Sequence, residues 1–317
     1  MPTYKAPLRD IRFLLFELFS AERHYQAAGF GDATQDVVDA VLQEAAKFCE
    51  TVVAPLNQIG DEHGAKLKDG VVHTAPGFKE AHKAYMAGQW GAMAADPAFG
   101  GQGLPPSLEF MFHDMAVTAC LAWRMCSGLT LGAIHALEAH GTEELKQLYL
   151  PKLISAEWTG TMCLTEPHAG SDVGIITTKA TPNADGSYAI NGTKIFITYG
   201  DHDFTDNIVH LVLARLPDAP PGPKGISLFL VPKFLPDADG KPGAHNHVVC
   251  ASLEKKMGIK ASPTCVLNFE DSKGFLIGKP NAGLVSMFVM MNYARLDVAM
   301  HGLGQAERSL QGAAAYA

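Results

Sequence analysis

The sequence predicts an α+β protein in which a helical bundle precedes a β domain and the start of a second helical domain. Three observations predict this order. Apolar residues first recur at helical spacing, alternation and β-branched residues replace that spacing near Thr159, and helical spacing returns after Pro280. The predicted domains are therefore residues 1–158, 159–279 and 280–317.

Each predicted helix of the first domain has an apolar stripe that repeats about every 3.6 residues. The clearest one runs over residues 35–54, where Val38 and Val41 share a face, and it stops at Pro55. A last helix begins at Thr142, a residue type that caps helix N-termini. The other predicted helices cover residues 8–19, 77–86, 106–123 and 128–140.

The β domain is predicted from short β-branched runs that are separated by turn signals. Residues 183–186 and Asn191-Gly192 are typical of hairpin turns. Gly- and Pro-rich residues 216–223 and 236–243 predict loops. About 110 residues of this kind have the size of a β-barrel or a sandwich. The predicted strands cover residues 174–181, 187–190, 194–198, 208–215, 226–231, 248–253 and 264–270.

The third predicted domain is a helix that begins after Pro280. Leu284, Phe288 and Met291 fall on helical spacing there, and residues 305–317 are Ala-rich and helix-prone. The pattern therefore continues to the end of the sequence. We expect this chain to be the amino-terminal part of a longer protein.

Composition and charge argue against several classes of protein. The sequence has 25 Lys and Arg against 33 Asp and Glu, a net charge of −8, which disfavours binding to a nucleic-acid backbone. Arg12 and Glu17 interrupt the first apolar run, so no signal peptide is predicted. No uncharged apolar stretch is long enough to predict a membrane span. The six cysteines lack paired spacing, and we expect them to be reduced in a cytoplasmic protein.

Familiar catalytic motifs are absent or stand in the wrong context. Gly101-Gln-Gly103 is followed by two prolines and lies between predicted helices, so it predicts a loop and not a dinucleotide-binding turn. The sequence contains neither a phosphate-binding loop of the GxxxxGK[ST] type nor a hydrolase GxSxG elbow. Nucleotide hydrolysis and serine-hydrolase chemistry therefore have no support.

The histidines give little support for a metal site. His135, Glu138 and His140 stand at offsets of three and five, which does not match the HExxH pattern of metal ligands on one helical face. His245 and His247 could share one face of a strand, but no third ligand is near them in the sequence. Metal binding remains a minor alternative, and no metal is predicted.

The segment where helices give way to strands, residues 161–173, has an unusual composition for a core strand. Thr165, Gly170, Ser171 and Asp172 supply two hydroxyls, an unhindered backbone N–H and a carboxylate within eight residues. This combination suits the edge of a polar heterocycle and a diphosphate. A Gly/Pro turn whose polar groups cap one another explains it equally well.

Residues 165–172 (TEPHAGSD), followed by residues 191–198 (NGTKIFIT), resemble the paired signature of the acyl-CoA dehydrogenases, flavoproteins with helical, β-barrel and helical domains. Residues 141–152 resemble the preceding helix of that family, and residues 254–262 its late barrel strands. Residues 4–19 resemble a long branch of the family that includes 3-methylmercaptopropionyl-CoA dehydrogenases and broad-range fatty acyl-CoA dehydrogenases. The resemblance covers most of the chain and implies an acyl-CoA dehydrogenase-like fold.

The resemblance also implies a function. It implies FAD as cofactor, an acyl-CoA thioester as substrate, a trans-2-enoyl-CoA as product and an electron-transfer flavoprotein as partner, in fatty acid β-oxidation. It further implies a homo-oligomer, either a dimer or a tetramer. Two alternatives remain open, namely a non-catalytic scaffold that binds flavin or acyl-CoA, and an acyl-CoA oxidase of the same superfamily.

The resemblance implies a flavin site built from three segments. In it the hydroxyls of Thr165 and Thr198 hydrogen-bond the flavin ring, and Gly170 and Ser171 lie at the diphosphate. The implied cofactor-binding residues are Met162, Cys163, Leu164, Thr165, Gly170, Ser171, Phe196, Ile197 and Thr198. Relatives carry Tyr at position 162 and Trp at position 196, so we expect altered packing on the ring and no loss of the flavin.

The substrate contacts and the catalytic base follow from the same resemblance. Ser171, Asn292 and Arg295 are the implied acyl-CoA contacts, although Arg295 could simply pair with Asp297 or with another helix. Relatives take the base from a glutamate that lies beyond this chain, or from the position before the arginine, which is Ala294 here. Glu166 is then structural, no catalytic residue is expected, and this chain by itself is not expected to abstract the α-proton.

Overall fold

The computed structural model describes residues 3–317. Its first half is helical, and short π-helical turns at Phe13–Leu18 and Cys49–Val53 extend the first and third helices. The helices that precede the main sheet are α1 (Leu8–Arg12), α2 (Ala21–Ala27), α3 (Gln35–Phe48), α4 (Leu56–His63), α5 (Phe78–Ala87), α6 (Pro106–His140) and α7 (Glu143–Ile154). The expected helices over residues 8–19, 35–54 and 77–86 are thus confirmed in position.

Strands occupy most of residues 158–277, and a long helix follows them. The strands are β1 (Lys66–Lys68), β2 (Val71–His73), β3 (Trp158–Cys163), β4 (Lys179–Pro182), β5 (Tyr188–Thr198), β6 (Asn207–Arg215), β7 (Ile226–Pro232), β8 (Phe234–Pro236), β9 (Pro242–His245), β10 (Val248–Leu253) and β11 (Thr264–Ile277). The final helix is α8 (Gly283–Tyr316). The predicted order of helices, strands and helix is confirmed.

Hydrogen bonds close five of these strands into a ring. Strand β11 pairs with β5, β5 with β4, β4 with β6 through Lys179 and Arg215, β6 with β7, and β7 again with β11. Strand β10 extends the ring on β11, and β3 runs parallel to β6 on its other side. Closure removes most free edges, which is the way a small barrel avoids unpaired backbone groups.

Helix α6 differs from its prediction, because its break lies at Cys120 and not at residues 124–127. The backbone of Cys120 is extended there (φ −158°, ψ 93°). Tyr293 has its ring centroid 6.4 Å from that of His113 and 4.6 Å from that of His135. A straight helix would separate those two histidines by about 33 Å. Helix α6 therefore folds back on itself at Cys120, and α8 contacts both halves.

Helix α6 is also the one helix within residues 3–317 whose length and composition would suffice to cross a membrane. Of its most apolar window, 83% is buried inside the fold, as expected of a core helix. All six cysteines are buried with free thiols, two of them in α6, which agrees with the expectation of reduced core residues.

The prediction of a hairpin turn at Asn191-Gly192 was wrong. Both residues lie inside β5, so the two strands expected on either side of them are one strand. The opposite strand bulges between Phe269 and Ser272. The Asn191 side chain donates to the Asp271 carboxylate at 2.7 Å and accepts from the Asp271 backbone N–H at 3.0 Å, so it braces the bulge instead of turning the chain.

The strand expected over residues 174–181 begins only at Lys179. Its first residues form a 3₁₀ turn, Val173–Ile175. The backbone N–H groups of Thr177 and Thr178 donate to the Glu166 carboxylate at 2.7 and 3.0 Å, so they are not available for a strand ladder. The turn at residues 183–186 is confirmed, with Gly186 in the left-handed region (φ +83°).

Candidate functional site

The carboxyl ends of β3 and β5 meet, and this junction brings two of the three predicted flavin segments together. The backbone N–H of Ile195 donates to the Thr165 carbonyl at 2.9 Å. The Lys194 ammonium donates to the Leu164 carbonyl at 3.0 Å. Residues 162–165 and 196–198 therefore lie side by side at this edge of the sheet, although they are about thirty positions apart in the sequence.

The third predicted segment joins them through a tight turn after β3. Glu166 and Ala169 exchange two backbone hydrogen bonds of 3.0 Å each, which folds the chain back. A Cβ placed on Gly170 would lie 3.8 Å from the Cγ2 atom of Thr165, in ordinary contact. Gly170 and Ser171 are exposed there. The structure thus gathers all three segments around Thr165.

Capping explains part of the unusual composition of residues 161–173. The Asp172 carboxylate accepts from the Gly174 backbone N–H at 2.8 Å and so caps the 3₁₀ turn. Glu166 is buried, with five donors around it. Thr165 and Ser171 remain accessible to solvent. Both interpretations of the segment therefore hold for part of it. The acidic side chains of Glu166 and Asp172 cap the loop, and the hydroxyls of Thr165 and Ser171 remain available to a ligand.

Side-chain direction alternates along the predicted flavin residues. Cys163 and Ile197 are buried in the core of the β domain, at 0% and 2% exposure, so only their backbone can face a ligand. Met162 and Leu164 pack on the other side, against the cluster shared with α6 and α8. Phe196 is 58% exposed and has a left-handed backbone (φ +58°), an uncommon conformation for a bulky residue. Its ring stands free at the surface.

A buried ion pair lies directly behind this face. The Lys194 ammonium is 2.8 Å from the Glu166 carboxylate, and the two side chains are 0% and 2% exposed. Burial raises the pKa of Glu166, but Lys194 and the donors of Thr177 and Thr178 outweigh it and lower that pKa to about 2. Glu166 is therefore an anion at neutral pH with its hydrogen-bonding capacity filled, which supports a structural role.

The predicted substrate contacts on α8 pair with each other. Arg295 donates to the Asn292 side-chain oxygen at 2.6 Å, and its guanidinium lies 5.6 Å from the centre of the Phe288 ring. Both polar residues are exposed. The alternative pairing of Arg295 with Asp297 was wrong, because Asp297 faces the opposite side of α8 and is buried.

Sequence reasoning missed a buried polar cluster between α6 and α8. The Asp297 carboxylate lies 3.2 Å from His113, 3.4 Å from Arg124 and 3.4 Å from His301. Burial opposes its charge, but Arg124 and His113 hold the pKa of Asp297 well below its usual range. The residues of this cluster are widely spaced in the sequence. Arg124 falls between the predicted helices 106–123 and 128–140, so no sequence pattern pointed to it.

A cavity of about 360 Å³ lies away from the predicted flavin residues. It is lined by α4, the α6 bend, Lys260 and Gln305, none of which belongs to those residues. Within residues 3–317, no three His, Cys, Asp or Glu side chains come together as metal ligands. The rings of His245 and His247 are 6.3 Å apart. At the β3–β5 junction, Gly170, Ser171 and Phe196 are exposed.

Comparisons with known proteins match both the helical and the β region. Residues 36–157 match the family model described as "Acyl-CoA dehydrogenase, N-terminal domain", and residues 161–272 match "Acyl-CoA dehydrogenase, middle domain". The chain is 43% identical over 315 residues to 3-methylmercaptopropionyl-CoA dehydrogenase of Ruegeria pomeroyi, covering 99% of this chain and 54% of that protein. The chain spans about half the length of the curated relatives it matches.

Solved structures agree with these matches. Butyryl-CoA dehydrogenase from Megasphaera elsdenii superposes with a TM-score of 0.74 at 25% identity, covering 89% of this chain and 69% of that one. An acyl-CoA dehydrogenase complexed with FAD from Bacillus anthracis superposes with a TM-score of 0.70 at 25% identity, covering 87% of this chain and 43% of that one. The expected fold is confirmed.

Proposed function

The chain belongs to the acyl-CoA dehydrogenase family, and from that membership we propose that it supplies the flavin-binding wall of an FAD-dependent enzyme that oxidises acyl-CoA thioesters to trans-2-enoyl-CoA. The observation that carries the proposal is the β3–β5 junction. There the Ile195 N–H donates to the Thr165 carbonyl, and the polar groups and the exposed Phe196 ring surround that contact.

The residues at the junction fit a flavin. Phe196 offers an exposed aromatic surface on which an isoalloxazine ring can stack. Thr165 and Thr198 offer half-buried hydroxyls at the polar edge of that ring. Gly170 is exposed and leaves space above Thr165 that a diphosphate can approach, with the Ser171 hydroxyl beside it. The relative from Bacillus anthracis is described in complex with FAD, which supports the same cofactor here.

Each residue has a distinct part in the proposed chemistry. Bound FAD supplies a hydride acceptor for the β-carbon of the thioester. Thr165 and Thr198 orient the ring and favour the negative charge that reduction adds to it. Phe196 packs on it, while Met162, Cys163, Leu164 and Ile197 contribute backbone groups.

Substrate binding is proposed for Ser171, Asn292 and Arg295. The last two are exposed on α8, and the Arg295 guanidinium can pair with an anionic part of coenzyme A. No residue of this chain is proposed as the catalytic base, because position 294 is Ala and Glu166 is fully engaged.

The partners are proposals that rest on family membership. We propose that electrons leave to an electron-transfer flavoprotein, that the enzyme is a homodimer or tetramer, and that it serves fatty acid β-oxidation. The six buried free thiols support a reducing compartment such as the cytoplasm.

Flavin content tests the site. Purified protein is reconstituted with FAD, and the flavin-to-protein ratio is compared with that of Thr165→Ala and Thr198→Ala. Thr193→Ala is the matched control, because Thr193 lies in β5 like Thr198 and its hydroxyl donates to Asn268 on the neighbouring strand β11. We expect the first two variants to lose flavin and the control to keep it. Equal flavin in all four proteins would refute the assigned roles.

The reaction is tested separately, by anaerobic mixing of the full-length protein with a saturated acyl-CoA. Bleaching of the flavin absorbance supports dehydrogenation. Substrate binding without bleaching supports the non-catalytic scaffold instead. Peroxide formed in air at the rate of turnover supports the oxidase.

A further inference from the structure

Glu166 and Lys194 form an ion pair at the flavin-facing junction, and both side chains are almost fully buried. Lys194 belongs to β5 and Glu166 to the turn after β3, so the pair crosses the junction. The same ammonium also donates to the Leu164 carbonyl at 3.0 Å. One buried cation thus contacts both the acidic turn and the backbone of the predicted flavin segment.

We propose that Glu166 and Lys194 are positioning residues for the flavin, which fix the Leu164–Thr165 backbone and cancel each other's charge behind the ring. This inference rests on the proposed function. It concerns a pair that touches the flavin-facing backbone and not the reacting atoms.

The first step of the argument is geometric. The Leu164 carbonyl accepts from the Lys194 ammonium, and the next carbonyl, that of Thr165, accepts from the Ile195 N–H at 2.9 Å. Rotating the intervening peptide would break at least one of these bonds. The backbone that carries Thr165 is therefore held by Lys194 and Ile195, and Lys194 is held by Glu166.

The second step concerns why Glu166 is an anion and what it does for Lys194. Its carboxylate accepts from the N–H and hydroxyl groups of Thr177 and Thr178 at 2.5 to 3.0 Å. Four such donors favour the ionised carboxylate even without Lys194. Burial lowers the pKa of Lys194, and Glu166 opposes that effect. Burial is the larger effect, so the pKa of Lys194 lies below its ordinary value. With the ammonium 2.8 Å from the carboxylate, the pair is neutral overall.

The third step concerns the charge that each single variant leaves behind the flavin. Removal of Glu166 leaves a positive charge there, and removal of Lys194 leaves a negative one. Reduction adds negative charge to the ring, so an uncompensated ammonium favours the reduced form and an uncompensated carboxylate disfavours it. Glu166→Gln should therefore raise the flavin midpoint potential, and Lys194→Met should lower it. The double variant, Glu166→Gln with Lys194→Met, restores neutrality and should return the potential to that of the wild type.

The experiment measures the flavin midpoint potential and the FAD dissociation constant of the wild type, both single variants and the double variant. Work at mildly acidic pH keeps the Lys194 ammonium protonated. Lys273→Met, which breaks the exposed ion pair with Asp185, is the matched control. We expect each single variant to shift the reduction equilibrium about tenfold, or ~30 mV for a two-electron couple, in opposite directions. We expect no shift for the control.

Two results would overturn the proposal: single variants that shift the potential in the same direction, or a folded double variant with the potential of one single variant. If neither single variant folds, the double variant decides, because an ion pair replaced by uncharged groups is often tolerated. Having lost the Lys194 contact to Leu164, it should bind FAD about tenfold more weakly at an unchanged potential. Wild-type affinity in the double variant also contradicts the proposal. A wild type that binds no FAD would instead refute the proposed function.

Discussion

Tyr293 donates a hydrogen bond of 2.8 Å from its hydroxyl to the Glu109 carboxylate, which is only 3% exposed. The two residues are 184 positions apart, on α8 and on the first half of α6. Backbone approach is also close along this interface, since a Cβ on Gly132 would lie 2.8 Å from Met290. Helix α8 is therefore held by specific polar contacts and by close packing, and not by apolar burial alone.

Replacing Tyr293 with Phe should destabilise the protein by about 2 kcal/mol, because it leaves the buried Glu109 carboxylate without this donor. Urea unfolding followed by circular dichroism measures the change. Tyr316→Phe is the control, since Tyr316 is 95% exposed at the end of the same helix. Equal unfolding midpoints for the two variants would show that the hydrogen bond contributes nothing.

Replacing Asp297 with Asn should cost more, about 3–5 kcal/mol, because it leaves the buried Arg124 guanidinium without its counter-charge. Arg124 is 0% exposed, so water cannot compensate. Asp185→Asn removes a carboxylate from an exposed pair with Lys273 and should leave the unfolding midpoint unchanged. A small effect at Asp297 would mean that the cluster is already neutral in the folded protein.

Two glycines should respond to the same substitution with opposite signs. A Cβ on Gly160 would lie 2.5 Å from the Cβ of Ala133, so Gly160→Ala should push β3 away from α6 and cost about 1–3 kcal/mol. Gly312 lies inside α8 with nothing within 4 Å of its would-be Cβ. Gly312→Ala should stabilise the protein by about 0.5–1 kcal/mol. Thermal unfolding of both variants checks the contrast, and destabilisation by both would contradict it.

The sequence predicts most of the fold because local periodicity determines where helices and strands form. It fails where a non-local contact overrides local preference. Asn191-Gly192 is a strong turn signal by itself, but Asp271 on the paired strand engages the Asn191 side chain. The bend of α6 at Cys120 has no Gly or Pro signal, and the contacts of α8 with both halves accompany it.

The candidate site divides in the same way. Residues near Thr165 and Thr198 could be named because a family signature spans both segments. Their adjacency depends on the pairing of β5 with the turn after β3, and no spacing rule gives that. The roles of Lys194 and Asp297 could not be read from the sequence, because a buried charge is recognised only once its partners are placed around it.

The buried carboxylate of Glu166 should make stability depend on pH. Its pKa is about 2 in the folded protein, below its ordinary value of 4.5, so the unfolded state binds protons first as pH falls. The stabilisation is complete above about pH 4.5 and is lost as pH falls through about 2. The stability gap between the wild type and Glu166→Gln should therefore be widest at neutral pH and should close in acid. Unfolding midpoints measured across this range test it, and a gap independent of pH contradicts it.

Phe196 should affect flavin binding without affecting stability. Its ring is 58% exposed, so Phe196→Ala removes little buried area and should change the unfolding free energy by less than about 0.5 kcal/mol. The backbone remains left-handed in either case, so no strain is relieved. Loss of ring stacking should weaken FAD binding about fivefold, in line with a contribution of ~1 kcal/mol.

Phe19→Ala is the control, because Phe19 is 59% exposed and lies in the amino-terminal helical region. Fluorescence titration with FAD compares the two variants with the wild type. Equal affinities in all three proteins would remove Phe196 from the flavin site, while a large loss of stability would show that the ring packs within the protein.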